Sequence, residues 1–235
     1  MCTFLTKLLH LISRRFLPKR LTLAGLYYSY LLNQPEPELT YLKHLLGQRR
    51  TAIDVGANVG YWTYKLAGLF EQVISIEMNE DCYQHIENAK LRNVRLLKHG
   101  LSDQEKDVSF YLPVHANGFV SHGWGTVEAN RKDDLFGETI ERTYLVKPLD
   151  TYGFTSVDFI KIDVEGHELA VVDGAWQTIL SNQPILVIEA SEATYDSLVD
   201  RLSAIGYRSR TLFELTGVMG SAENFVFVPS TNAAA

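Results

Sequence analysis

Cysteine is scarce in this sequence. Its 235 residues hold two, Cys2 and Cys82. No C-x-x-C occurs, which excludes a zinc ribbon or a redox pair. Two isolated thiols fit a reducing compartment, and the lack of any N-x-S/T acceptor site agrees with that. Low-complexity sequence is confined to the terminal alanines. With 46% hydrophobic and 21% charged residues, the composition is that of a folded soluble chain and not of a disordered one. The length suffices for one sizeable α/β domain with its own core.

Acid is missing from residues 1–35. That stretch holds Lys7, Arg14, Arg15, Lys19 and Arg20, so the net charge of −6 divides into +5 there and −11 over the rest. A chain of this overall charge has no general grip on nucleic acid. The segment "TFLTKLLHLISRRFLPKR" is no clean secretory signal, because Lys7 and His10 interrupt its apolar run and the arginines follow it. It is too short and too charged to span a bilayer. Leu5, Leu8, Leu9, Ile12 and Phe16 fall at helical spacing. Three readings stay open: a helix docked on the core, a basic amphipathic helix making peripheral contact with an anionic membrane through residues 3–20, or an organellar transit peptide. The expected organisation is a basic helical segment over 1–48 and one domain over 49–235, with an inserted hairpin or loop at about 104–150. The expected location is the cytoplasm.

From residue 51 the pattern becomes regular. "TAIDVG", "QVISIEM" and "VRLLKHG" read as strands, separated by helices over 60–70 and 79–92, the second opening on Asn79 as N-cap. This βαβαβ run predicts a parallel sheet with helices on its faces. Strands over 107–114 and 142–150 flank a glycine-rich stretch. Alternation then resumes with a strand at 159–166, one helix over 168–182, a strand at 184–191 and a helix over 194–206. Two strands, 207–213 and 223–230, close the chain with no helix expected between them.

"DVGANVG" (54–60) stands where the first strand turns into the first helix. Gly56 and Gly60 leave room for close approach to the backbone, and the helix start offers free N–H groups. A dinucleotide site wants G-x-G-x-x-G and a P-loop wants G-x-x-x-x-G-K-S/T; this spacing is neither. Asp54 would repel a phosphate. Glu77, 17 residues after Gly60, can accept both hydroxyls of a ribose. A ligand with a ribose, a cationic amino acid part and no pyrophosphate fits these features, and S-adenosylmethionine is such a ligand. A nucleotide-binding oxidoreductase is the runner-up, and a non-catalytic, membrane-peripheral cofactor-binding protein is a third reading.

These residues carry a resemblance. D-x-G-A-N-x-G followed by an acid after the second strand resembles class I S-adenosylmethionine-dependent methyltransferases. "HGLSD" (99–103), "PLDTY" (148–152), "IKIDVEGHE" (160–168) and "ENFVFVP" (223–229) are similar to the FkbM family of methyltransferases, over roughly residues 50–230. The resemblance implies a Rossmann-like, seven-stranded, mostly parallel sheet with the last strand antiparallel. It implies methyl transfer to a hydroxyl of a sugar or secondary metabolite. It also implies that Asp54, Gly56, Asn58, Gly60 and Glu77 hold the cofactor, with Ser102 and Asp103 beside the adenine. Met78 stands where many members have proline.

"KIDVEGHE" (161–168) supplies the candidate chemistry. Lys161, Asp163 and Glu165 alternate along one strand side, which places Asp163 near the cofactor's methionine end and Glu165 or His167 toward the acceptor. An acceptor hydroxyl must lose its proton, so a base helps. His167 is the first candidate and His122 its rival. Asp163 with Glu189 could offer oxygens to Mg²⁺, although a divalent ion is not favoured. Zinc is poorly supported, because H-E-x-x-H lacks its second histidine. Glu168 suits the first turn of a helix. Asn117, Phe119, His122 and Trp124 are candidates to face a small-molecule or glycan acceptor. N-methylation and the oligomeric state stay open.

Overall fold

The computed structural model describes residues 18–33, 36–115, 118, 120–121, 125–128 and 138–230. Two helices come first, α1 (Lys19–Asn33) and α2 (Pro37–Leu45). Alternation follows through β1 (Thr51–Val55), α3 (Tyr61–Ala67), β2 (Gln72–Ile76), α4 (Glu80–Ala89) and β3 (Val94–Leu97). A short β4 (Gly100–Leu101) precedes a long hairpin of β5 (Lys106–Val114) and β6 (Glu138–Lys147). A 3₁₀ turn, Leu149–Tyr152, leads into β7 (Val157–Ile162). The remaining elements are α5 (Glu168–Gly174), α6 (Trp176–Asn182), β8 (Ile185–Glu189), α7 (Glu192–Ser203), β9 (Tyr207–Arg210), α8 (Leu212–Thr216) and β10 (Asn224–Pro229).

The central strands are near-continuous apolar runs, as parallel strands covered on both faces must be. They form a seven-stranded sheet in the order β3-β2-β1-β7-β8-β10-β9. β10 runs antiparallel to both its neighbours, and the sheet is otherwise parallel, as expected. Ile53, Ile160, Ile162 and Leu186 face α5–α7 on one side. Ala52, Val73, Phe159 and Val226 face Leu39, Leu42, Trp62 and Leu66 on the other. Chain order reverses between β1 and β7, which is where open α/β sheets bind ligands. β4, β5 and β6 form a separate small sheet, in which β5 and β6 pair as an antiparallel hairpin.

α1 belongs to the core. Leu23, Leu26 and Tyr27 are buried, and a Cβ added at Gly60 would meet the Leu23 side chain at 3.4 Å. The connection to α2 is pinned by Glu36. Its carboxylate accepts from the Trp62 indole at 2.9 Å, from the Tyr30 hydroxyl at 2.8 Å and from the Asn224 amide at 3.2 Å. Of the helix expected over residues 3–20, residues 3–17 lie outside the described residues.

Three expectations are corrected. A helix does separate the last two strands. Thr211 and Glu214 form a capping box that starts α8, a T-x-x-E signature legible in the sequence. The helix expected over 168–182 is two, broken at Ala175. Gly174 comes so close to the Ser102 carbonyl that a Cβ would lie 1.9 Å from it. The third strand ends at Leu97, and Gly100–Leu101 pairs with β6 instead.

Leu23→Ala is expected to lower the stability of the whole domain by about 2–5 kcal/mol within one cooperative transition, measured by urea unfolding. A domain transition unchanged by this substitution would mean that α1 is not integral to the core.

Candidate active site

The β1–α3 turn is built on close approach. Gly56 has φ +74, and a Cβ there would lie 1.7 Å from the Asp163 carbonyl oxygen, so no other residue fits. Val55 accepts from the Asp163 amide at 3.0 Å, which locks the two neighbouring turns together. Asn58 also takes a left-handed φ of 50; such non-glycine residues cluster at functional turns. Gly60 serves packing, since its missing Cβ would strike Ile86 at 2.6 Å.

Glu77 follows β2 and faces this turn. One carboxylate oxygen accepts from the Asn58 amide at 2.8 Å and the other from the Asn79 amide at 2.7 Å. Each oxygen retains a further acceptor position. Burial raises the Glu77 pKa, and the surrounding backbone amides oppose that rise.

The β7–α5 turn repeats the pattern. Glu165 has φ 54 and Gly166 φ 104. The Thr126 hydroxyl, from the inserted region, donates to the Glu165 carbonyl at 2.9 Å. Glu168 accepts from the Gly166 amide at 2.7 Å, the role expected of a first-turn acid.

His167 is held at both ring nitrogens. Nδ1 lies 2.7 Å from the Glu128 carboxylate, and Nε2 lies 3.0 Å from the Ser102 hydroxyl. Ser102 in turn donates to Asp103 at 2.9 Å. Ser102 is buried, whereas Asp103 is largely exposed and pairs with Lys106. His122 lies outside the described residues, as do Asn117, Phe119 and Trp124.

A cleft of about 670 Å³, counted to its open mouth, lies across the ends of β1, β2 and β7. Gly56, Asn58, Glu77, Asp163, Glu165 and His167 line it. Ser102 and Asp103 stand behind His167. Sequence reasoning did not find Met78, His99, Phe110, Val127 and Val146, which also line the cleft. Most of these come from the hairpin or its connections, whose folding back no local pattern announces. His99 is held by the Gly100 carbonyl at 2.7 Å and the Tyr152 hydroxyl at 2.5 Å, and burial lowers its pKa. The motif letters "HGLSD" and "PLDTY" were the available signal for that contact.

Asp54 lies below the cleft. It accepts from the Thr63 hydroxyl at 2.5 Å, and burial pushes it up to about 6. Beside it in the sheet, Lys161 is fully buried and donates to Asn224 at 2.8 Å. Burial alone would lower Lys161, but Asp163, Glu189, Glu36 and Asp54 outweigh it and hold the ammonium above its usual pKa. Glu189, 3.5 Å from Lys161, is raised to about 7 by burial and then by Asp163. Asp163 is raised by burial, against the pull of Lys161. The cation beside both acids is thus a lysine. Among the described residues, no group of three His, Cys, Asp or Glu side chains has the arrangement to hold a metal ion.

Residues 54–209 match the family model of the methyltransferase FkbM domain. The chain is 29% identical over 141 residues to the hexuronic acid methyltransferase AglP of Haloferax volcanii, covering 57% of this chain and 53% of that protein. It thus spans about half the length of the curated relative it matches. A crystal structure of the methyltransferase FkbM from Methylobacillus flagellatus superposes with a TM-score of 0.57 at 18% identity, over 95% of this chain and 57% of that one. This last likeness bears on the fold.

Asp54 and Glu189 bind protons more tightly in the folded chain than as free carboxylates, whose reference values are 3.8 and 4.5. The unfolded state therefore releases these protons first, and their contribution to stability falls as pH rises from about 4 to about 7. Glu189→Gln removes the upper part of that loss. Urea unfolding at about pH 5 and about pH 7.5 should show a smaller drop in the variant than in the wild type. Equal drops would place the Glu189 proton elsewhere.

Proposed function

Because this chain belongs to the FkbM methyltransferase family, we propose that it transfers a methyl group from S-adenosylmethionine to a hydroxyl oxygen of a carbohydrate acceptor. The observation that carries the cofactor half is Glu77, fixed by two backbone amides beside the DVGANVG turn and facing the cleft. Its remaining acceptor positions suit a pair of ribose hydroxyls. Glu77, Asp163 and Glu165 line the cleft, and no lysine or arginine is among the described lining residues. Such a lining favours a cationic ligand and opposes a pyrophosphate, which counts against the oxidoreductase reading. The similarity to a hexuronic acid methyltransferase supports a sugar acceptor.

When bound, S-adenosylmethionine supplies an electrophilic methyl on a sulfonium centre. The chain's own residues position and deprotonate the acceptor. Gly56 and Asn58 bring backbone against the ligand without side-chain bulk. Asp163 and Glu165 present carboxylates at the acceptor end. His167 takes the acceptor proton. Its Nε2 is turned to buried Ser102, so Nδ1 is the nitrogen that an acceptor can reach. Glu128, whose side chain is 36% exposed, accepts the Nδ1 proton and withdraws with it as the hydroxyl arrives, which leaves the Nδ1 lone pair free to take the acceptor proton. Ser102 keeps the ring in place throughout.

Radiolabelled methyl transfer tests this reading. Assayed against a panel of neutral glycosides, uronates and amino sugars, the chain is expected to yield an alkali-stable methyl ether. An alkali-labile product would instead indicate an ester, and label on an amino sugar nitrogen would indicate N-methylation. His167→Asn should lower kcat by about a hundredfold or more and leave S-adenosylhomocysteine affinity unchanged. Full turnover in that variant would remove His167 as the base.

A further inference from the structure

α1 is apolar on two faces. Leu23, Leu26 and Tyr27 are buried against the α3–α4 side. On the outer side, Leu21, Tyr28 and Leu32 are 50%, 59% and 50% exposed. With Gly25 they fall at i, i+4, i+7 and i+11, one stripe about 16 Å long. A helix with one apolar face on the core normally turns a polar face outward; this one turns Leu21, Tyr28 and Leu32 outward.

The charge around the stripe says what covers it. Lys19 and Arg20 are exposed at its N-terminal end. The sequence before them adds Lys7, Arg14 and Arg15 and no acid. A second copy would bring the same positive charge to the contact and be repelled. The surface that complements both features at once is negatively charged outside and apolar beneath. We propose that the outer face of α1 rests on an anionic lipid surface.

Leu21, Tyr28 and Leu32 enter the boundary between headgroups and acyl chains, while Lys19 and Arg20 reach the headgroups. Each basic residue near such a surface strengthens the contact. Tyr28 suits this position, with an apolar ring and a polar tip; its ring stands edge-on to Tyr27 and Tyr64, which sets its direction. The helix lies on the surface and does not cross it: no helix of the described residues is long and apolar enough to span a membrane. The inner face of the same helix packs Leu23 toward Gly60, 3.4 Å from where a Cβ would stand, so the lipid contact is one helix diameter, about 10 Å, from the DVGANVG turn.

The test is co-sedimentation of the full chain with vesicles of phosphatidylcholine alone or mixed with phosphatidylglycerol. The expected result is partitioning onto the mixed vesicles at least about tenfold above the neutral ones, reversed by salt. Leu21→Gln combined with Leu32→Gln should cut that partitioning at least about tenfold with the thermal transition unchanged, since both side chains are exposed. No binding to mixed vesicles, or equal binding by wild type and double variant, would overturn the proposal. So would a dimer in analytical ultracentrifugation that the double variant abolishes, because the face would then belong to a second copy. Vesicle binding that appears only after residues 1–17 are removed would assign the face to that segment and overturn it as well.

Discussion

The site depends on two turns being forced together. Gly56 after β1 and Asp163 after β7 approach so closely that a single added carbon would overlap a carbonyl oxygen. The Asp163 amide bonds to Val55 across the gap. Each turn then uses left-handed residues, Asn58 on one side and Glu165 with Gly166 on the other, to bend its chain away from the sheet. The cleft is the space left between the bends. It needs no large rearrangement to exist, because parallel strands of matched register deliver both turns to one level of the sheet.

Charge follows from the same geometry. Parallel strands end on one edge of the sheet, so the acids at the ends of β2, β7 and β8 lie near enough to raise one another's pKa. One buried ammonium, Lys161, offsets them from below. Carboxylates under this strain either hold a proton or await a cation, and the raised pKa values of Asp54, Asp163 and Glu189 record that. A positively charged cofactor beside Asp163 and Glu165 relieves the excess, whereas a phosphate-bearing one adds to it. Asp54 contributes at a distance, because its carboxylate is spent on Thr63.

The family resemblance implied the seven-stranded sheet with its antiparallel strand. Local pattern carried the parallel strands, most of the order of elements and both signature turns. Those features rest on short-range rules: apolar runs, glycines with positive φ, and an acid at a strand end. Gly60 shows a limit, for a glycine in a ligand-binding motif can serve helix packing, and Ile86 is not foreseeable from the motif. His167 shows another. "KIDVEGHE" marks the residue, but its partners Ser102 and Glu128 lie 65 and 39 positions away, and only the folded hairpin brings Glu128 there. The hairpin's own lining residues, Phe110 and Val146, were unreadable for the same reason. The missed helix α8 is different: its capping box was present in plain sequence.

The central claim is that this cleft binds S-adenosylmethionine through Glu77. Calorimetric titration of S-adenosylhomocysteine into wild type and Glu77→Gln, with NADH as control, tests it most directly. The account predicts binding to the wild type, at least about tenfold weaker binding to the variant, since hydrogen bonds to a charged group are worth about 1.5–3 kcal/mol, and no heat with NADH. Equal affinity in both proteins, or heat with NADH and none with S-adenosylhomocysteine, would contradict it.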